Sequence, residues 1–259
     1  MNKKILLFVL LSTGAWVGTQ AQSRRIDTVA VAILDKMSAT IGDLGSCSVN
    51  VNANYDVVSR ELGLIKHSDE EQVYLHGPNK LLVRSEGDKG TRSFFYDGTA
   101  LTYYSMDKNQ YGQIPLSVGV VEMMDTVNKR YGIDFPVADF FYPTFVDDIL
   151  SDAKSLVYLG MTKVGNEECF HIAGVAKDKT FQFWIRHDAF FLPAKVVIVY
   201  TEGGQNRQFE ATLNDWQVNP NLPDAIFSFT PPPSASKIAL VALGNRAPRK
   251  VSRTGTGKK

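Results

Sequence analysis

The chain has 259 residues, 44% hydrophobic and 21% charged, with a formal net charge of +1. That balance hides an asymmetry. With Lys3, Lys4 and the six Lys or Arg after Leu243 set aside, 20 basic side chains face 27 acidic ones, a net of about −7. An acidic body excludes nucleic acid as the expected partner, because phosphate binding needs a basic face.

In chain order, "MNKK" is a short basic segment, "ILLFVLLSTGAWVG" an apolar one, and "TQA" ends in the small Ala21. Residues 1–21 therefore read as a secretory signal peptide. The apolar run is too short for a membrane span, and no cysteine follows it to carry a lipid anchor. No later segment is apolar for long enough to cross a bilayer, so the expectation is an exported, periplasmic protein. The next segment spaces Ile26, Val29, Ala30, Ile33, Leu34, Met37 and Ile41 three and four apart, which predicts an amphipathic helix stopped by Gly42 or Gly45. The period then drops to two. "CSVNVNANYDVV" alternates Val49, Val51, Ala53 and Tyr55 with polar residues, as a half-buried antiparallel strand does.

"EEQVYLHG", "KLLVRSEG", "TRSFFYDGTALTYYSM" and "QYGQIPL" continue a meander. In "FFYDGTALTYY" the pair Asp97-Gly98 predicts a tight hairpin with both central residues at positive φ. Alternation puts Phe95 on the face opposite Phe94 and Tyr96. The middle of the chain is helical: Val120, Val121, Met124, Val127 and Tyr131 predict a helix ended by Gly132, and "FPVADFFYPTFVDDILSDA" one or two short helices broken at Pro143. Strands resume with "SLVYLGMTKV", "EECFHIAGVA", "TFQFWIRHD", "PAKVVIVYTE" and "RQFEATLNDWQV", and "NPNLPDAIFSFTPPPSA" reads as a Pro-punctuated last strand. These elements predict an α+β fold in one domain over 22–240. About ten strands form a strongly curved antiparallel sheet, an incomplete barrel, with an N-terminal helix and a helical lid insertion. Residues 241–259 read as a basic disordered tail.

The motifs of catalysis are not found. There is no G-x-S-x-G, no H-E-x-x-H, no phosphate-binding glycine loop and no dinucleotide fingerprint. Cys169 and His171 share a strand face but lack an orienting third group. Glu70-Glu71, Asp147-Asp148 and Glu167-Glu168 are adjacent pairs, which on a strand point to opposite faces; all three read as solvated. No calcium loop appears, and no metal or cofactor is expected. Cys47 and Cys169 are compatible either with one disulfide or with two buried thiols.

What stands out is an apolar excess in "FFYDGTALTYY", "VEMM", "DFFYPTF" and "TFQFWIRHDAFF". Phe181, Phe183 and Ile185 share one strand face. If the sheet curls, these residues line its inside beneath a Phe- and Met-rich lid. They form either a filled core or a cavity for variable apolar shapes.

The succession of an N-terminal helix, "CSVNVNANYDVV" and "GPNKLLVRSEGDKGTRSFFYDGTALTYYSMDKNQYGQIPL" resembles the LolA/LolB superfamily of periplasmic lipoprotein carriers and receptors. Gly77, Pro78, Lys80 and Leu81 match its first strand motif, Asp97, Gly98 and Leu101 its D-G-x-x-L hairpin, and Tyr104, Asp107 and Gln110 the following strand. "YGIDFPVADFFY", "VGNEECFHIAG", "FQFWI", "LPAKVVIVY" and "FSFTPP" are closer still to a family of predicted periplasmic proteins within that superfamily. Gly77 and Leu82 stand where the superfamily motif has arginines, so an arginine gate does not carry over. The resemblance implies an incomplete barrel with a lid over an apolar cavity, a non-enzymatic role, and a lipid or acylated protein as partner. An envelope protein bound by the same fold is the alternative, and a hydrolase with an unrecognised site a further one. The candidate groove and lid residues are Phe95, Tyr103, Met123, Met124, Phe141, Phe181, Phe183 and Ile185.

Overall fold

A computed structural model describes residues 24–135 and 137–245. The expected signal peptide and residues 246–259 of the expected disordered tail lie outside the described residues, but the first residues of that tail are ordered, with a 3₁₀ turn (Leu243–Asn245) that sets Leu243 beside Gly132. Helix α1 spans Thr28–Gly42, with Asp27 capping its first turn through the Val29 N–H. It buries Ala30, Ile33, Leu34, Met37 and Ile41, the predicted stripe, while Val29 is exposed and Ile26 belongs to a two-residue strand, β1 (Arg25–Ile26).

Two antiparallel meanders follow. The first comprises β2 (Ser46–Ser59), β3 (Gly63–His76), β4 (Lys80–Gly87), β5 (Arg92–Tyr96), β6 (Ala100–Ser105) and β7 (Gln110–Pro115). The second comprises β8 (Ser155–Val164), β9 (Glu167–Val175), β10 (Lys179–Arg186), β11 (Pro193–Tyr200) and β12 (Arg207–Val218). β12 pairs with β2, Leu213 opposite Val51, and so joins the meanders into one sheet. The described residues hold thirteen strands in the order β1-β8-β9-β10-β11-β12-β2-β3-β4-β5-β6-β7-β13, where β13 is Ser236–Lys237. The sheet is strongly curved and does not close. β1 and β13 each lie parallel to an edge strand over two residues, covering backbone groups that would otherwise be open for pairing. Such short strands carry no periodicity, which is one reason the count exceeds the ten or so expected.

The connection from β7 to β8 must travel from one edge of this sheet to the other. It does so across the concave face. α2 (Val120–Tyr131) starts after Gly119 and ends at Gly132, whose φ of 68° favours glycine. A 3₁₀ turn (Ala138–Phe141) and α3 (Phe145–Asp152) complete the lid, separated by Pro143 as predicted. The fully buried Tyr96 hydroxyl donates to the Val118 carbonyl (2.6 Å) and accepts from the Val118 N–H (3.0 Å), pinning the lid where it leaves the sheet.

Two local expectations are corrected. The Asp97-Gly98 hairpin exists, but only Gly98 has positive φ (91°). Asp97 Oδ1 instead accepts from the N–H groups of Thr99 and Ala100 and from the Thr99 hydroxyl, so the side chain builds an Asx turn in the loop between the paired Tyr96 and Leu101. The segment "NPNLPDAIFSFTPPPSA" is not a strand. It holds a 3₁₀ turn (Asp224–Phe227) that buries Phe227 and then lays Phe229 on the convex face against Phe95, Tyr104 and Tyr111. Prolines 220, 223, 231, 232 and 233 deny the ladder its donors there.

Candidate functional site

Between lid and sheet lies a cavity of about 490 Å³, open to solvent at one side. Its floor comes from alternate residues of three neighbouring strands: Phe181 and Phe183 of β10, Val196 and Ile198 of β11, and Phe209 of β12. Register makes this a continuous apolar surface, since Phe183 pairs with Val196, and Ile198 with both Phe181 and Phe209. The roof is Met124 of α2, Phe140 of the 3₁₀ turn, and Phe145 and Ile149 of α3. Phe140 and Phe145 meet Phe183 edge-on at 5.9 and 5.6 Å, and Phe181 meets it at 5.3 Å. Tyr142 donates to Asp125 Oδ1 (2.9 Å), tying this part of the lid to α2.

Gly174 of β9 sits opposite Phe181, and a Cβ there would collide with the Phe181 ring. The missing side chain is what lets that ring lie flat on the sheet. Gly174→Ala is therefore expected to push the ring into the cavity and lower stability by about 1–3 kcal/mol. Phe181→Leu in the same chain should recover part of the loss; denaturant midpoints of the three variants check this, and an unchanged midpoint in Gly174→Ala would refute it.

A smaller pocket of about 20 Å³ continues beneath the lid. Met124, Phe135, Val137 and Ala138 line both spaces. Among its lining residues is Glu71, 5% exposed, whose Oε2 has no hydrogen-bond partner. Burial pushes its carboxyl up to about 7; Arg92 opposes the shift and Asp69 adds to it. Asp69, 4% exposed, accepts from Arg92 (2.9 Å) and from the Tyr55 hydroxyl (3.0 Å), and the absence of a side chain at Gly87 makes room for it. The expectation that Glu70-Glu71 is a solvated pair is thus half wrong: Glu70 is exposed and Glu71 is inside. The signal was present in the register. Counting by twos down β3 from the apolar Leu75 and Val73 leads to Glu71 and Asp69.

The structure divides the sequence candidates. Met124, Phe181 and Phe183 line the cavity, and Phe141 lines the smaller pocket. Met123 and Ile185 are fully buried in the core and touch neither space. Tyr103 packs on Phe94, which in turn meets Phe135 of the lid connection at 5.3 Å. Phe95 lies on the convex face under Phe229, so its assignment to the groove is corrected. Unforeseen contributions come from Val196, Ile198 and Phe209, whose strands read only as generic apolar alternation.

The Cys169–His171 pair lies outside the cavity. His171 bonds Gln182 (3.0 Å) and stacks on Trp184 on the convex face. Cys47 and Cys169 are free and buried on strands with three others between them, so no disulfide joins them. Burial pushes the Cys47 thiol up to about 12 and raises that of Cys169, both away from the reactive thiolate. Among the described residues no three His, Cys, Asp or Glu converge as a metal site, and no helix is long and apolar enough to cross a membrane.

A family model of predicted periplasmic proteins, DUF2092, matches residues 30–241. The chain belongs to this family. Membership of DUF2092 agrees with the export and periplasmic location expected from the first residues, and the match takes in the helix, both meanders and the lid. A comparison with curated proteins finds no match. Solved structures similar to this chain include the lipoprotein LppX of Mycobacterium tuberculosis, 14% identical, with a TM-score of 0.46, covering 76% of this chain and 98% of that one. LprF of Mycobacterium bovis is likewise 14% identical, with a TM-score of 0.46, covering 75% and 97%. A LolA superfamily protein of Nitrosomonas europaea is 13% identical, with a TM-score of 0.37, covering 77% and 97%.

Proposed function

We propose that this DUF2092 protein is a periplasmic, non-enzymatic binding protein that holds the apolar chain of a lipid or acylated protein beneath its lid. The observation that carries this reading is the cavity of about 490 Å³ between the Phe181–Phe183 floor and the Phe140–Phe145 roof. Its size lies within the roughly 300–1,000 Å³ of small-ligand sites. Burying an apolar chain there gains roughly 25 cal/mol per Å² without demanding a fixed orientation, and Met124 adapts to variable shapes.

Protein purified from a periplasm, extracted with organic solvent and analysed by mass spectrometry is expected to yield stoichiometric lipid. Ile198→Trp, which fills the cavity from its floor, is expected to lose that lipid while keeping its far-ultraviolet circular dichroism. A wild-type protein that carries nothing and takes up nothing would refute the reading.

A second reading, recognition of an envelope protein, is favoured by one observation. The β2–β3 hairpin runs past its neighbours, beyond Tyr55 on one side and Asp69 on the other, and exposes Val58, Leu62 and Leu64. Leu62 is 75% exposed. Site-specific crosslinking from position 62 to one envelope protein, abolished by Leu64→Asp, would support it; absence of any such product would set it aside.

A further inference from the structure

We infer that the cavity selects amphiphiles by head-group charge, taking those with a cationic head, such as a long-chain amine, and rejecting fatty acids and other anionic lipids. This deepens the proposed function and rests on the cavity being a binding site. Apolar walls alone do not discriminate between heads. The polar groups around them do.

Asp134, Asp139, Asp148 and Asp152 stand exposed around the opening, and Asp125 lies half-buried beside them. Lys179 is the one cationic side chain in the lining. Asp125 already has partners in Tyr142 and, at 3.4 Å, Lys129. The other four have no ion-pair partner within 4 Å among the described residues; Asp148 accepts only from the Thr144 hydroxyl. Desolvation is the main cause that raises the Asp139 carboxyl; Asp134, Asp148 and Asp125 add to it, and Lys179 opposes it.

An independent observation comes from the adjoining pocket. Glu71 is buried there, its Oε2 without a partner, in the pocket that shares Met124, Phe135, Val137 and Ala138 with the cavity. Its one cationic neighbour, Arg92, is engaged by Asp69 at 2.9 Å. An amphiphile whose tail fills the cavity therefore leaves its head among the rim aspartates, with the unpartnered Glu71 in the adjoining pocket as a further acid behind the shared walls. An anionic head meets repulsion at the rim, and a cationic head finds acceptors there. The aspartates are spread along the rim and do not converge, which suits a diffuse organic cation.

The test displaces a neutral naphthylamine fluorophore from the purified protein with dodecylamine, dodecanol and dodecanoate, which share one tail and differ in head charge. At low ionic strength dodecylamine is expected to bind at least about tenfold tighter than dodecanoate, with dodecanol between them. The preference should shrink at ~0.5 M salt, where the screening length falls to a few ångströms. It should also shrink in an Asp134→Asn/Asp139→Asn/Asp148→Asn variant, the amine losing affinity and the dodecanoate gaining it relative to dodecanol. Dodecanoate binding as tightly as the amine, or a ratio unmoved by the triple substitution, would overturn charge selection and leave the cavity reading standing. Amine binding that persists in Ile198→Trp would assign it to the acidic surface and also overturn the inference. If none of the three displaces the fluorophore, the binding-site reading itself falls.

Discussion

Arg92→Met is expected to destabilise the fold by about 3–5 kcal/mol, the usual cost of stranding one member of a buried ion pair. Asp69 would be left in the sheet interior with only the Tyr55 hydroxyl on its Oδ2, and its Oδ1 has no partner in the intact protein. The doubly substituted Arg92→Met/Asp69→Asn should recover much of the loss, because the uncompensated charge is gone. Urea denaturation followed by circular dichroism measures both. A loss below about 1 kcal/mol in the single variant would mean that the pair behaves as an exposed one.

The second large effect has the opposite sign. The Glu71 carboxyl titrates at about 7 in the folded chain, above its ordinary value of 4.5. The folded state then holds this proton more tightly than the unfolded state does. The resulting stability is fully present below about pH 4.5 and is lost as pH rises through 7, by up to about 3 kcal/mol in all. Glu71→Gln removes that dependence. At about pH 8 the variant should be more stable than the wild type by as much as about 3 kcal/mol, and near pH 4 the two should be close. Parallel pH–stability curves for the two proteins would refute the assignment. The cost carried at neutral pH is that of keeping a partly ionised carboxyl oxygen without a partner beside an apolar pocket.

Much of this was legible residue by residue. The three-and-four spacing of Ala30, Ile33, Leu34, Met37 and Ile41 specifies α1 because only one face of a 3.6-residue period can be dry. Gly132 marks the end of α2 because the chain there must turn left-handed. Phe181 and Phe183 could be placed on one face, and the structure puts both in the cavity floor. Phe95 was misplaced for a reason of the same kind. Alternation separates it from Phe94 but does not say which of two aromatic faces is concave; the Phe94–Phe135 contact decides that. Glu71 was missed because acidic residues on a half-buried strand ordinarily mark its wet side, and here the apolar face of β3 runs on into Glu71 and Asp69.

The sequence by itself determined most of the local grammar, residues 219–235 excepted: which segments coil, which extend, where they stop, and that an apolar excess needed an inside. It could not determine that β12 would pair with β2, because strand alternation specifies a face and never a partner. That single pairing leaves β7 and β8 far apart, with only β13 and β1 beyond them at the two edges of the sheet. The lid that connects them has to cross the concave face, and it is this crossing that roofs the cavity and brings Asp134, Asp139 and Asp148 to its mouth. The cavity is thus a consequence of pairing between distant strands, a long-range event that no window of neighbouring residues contains.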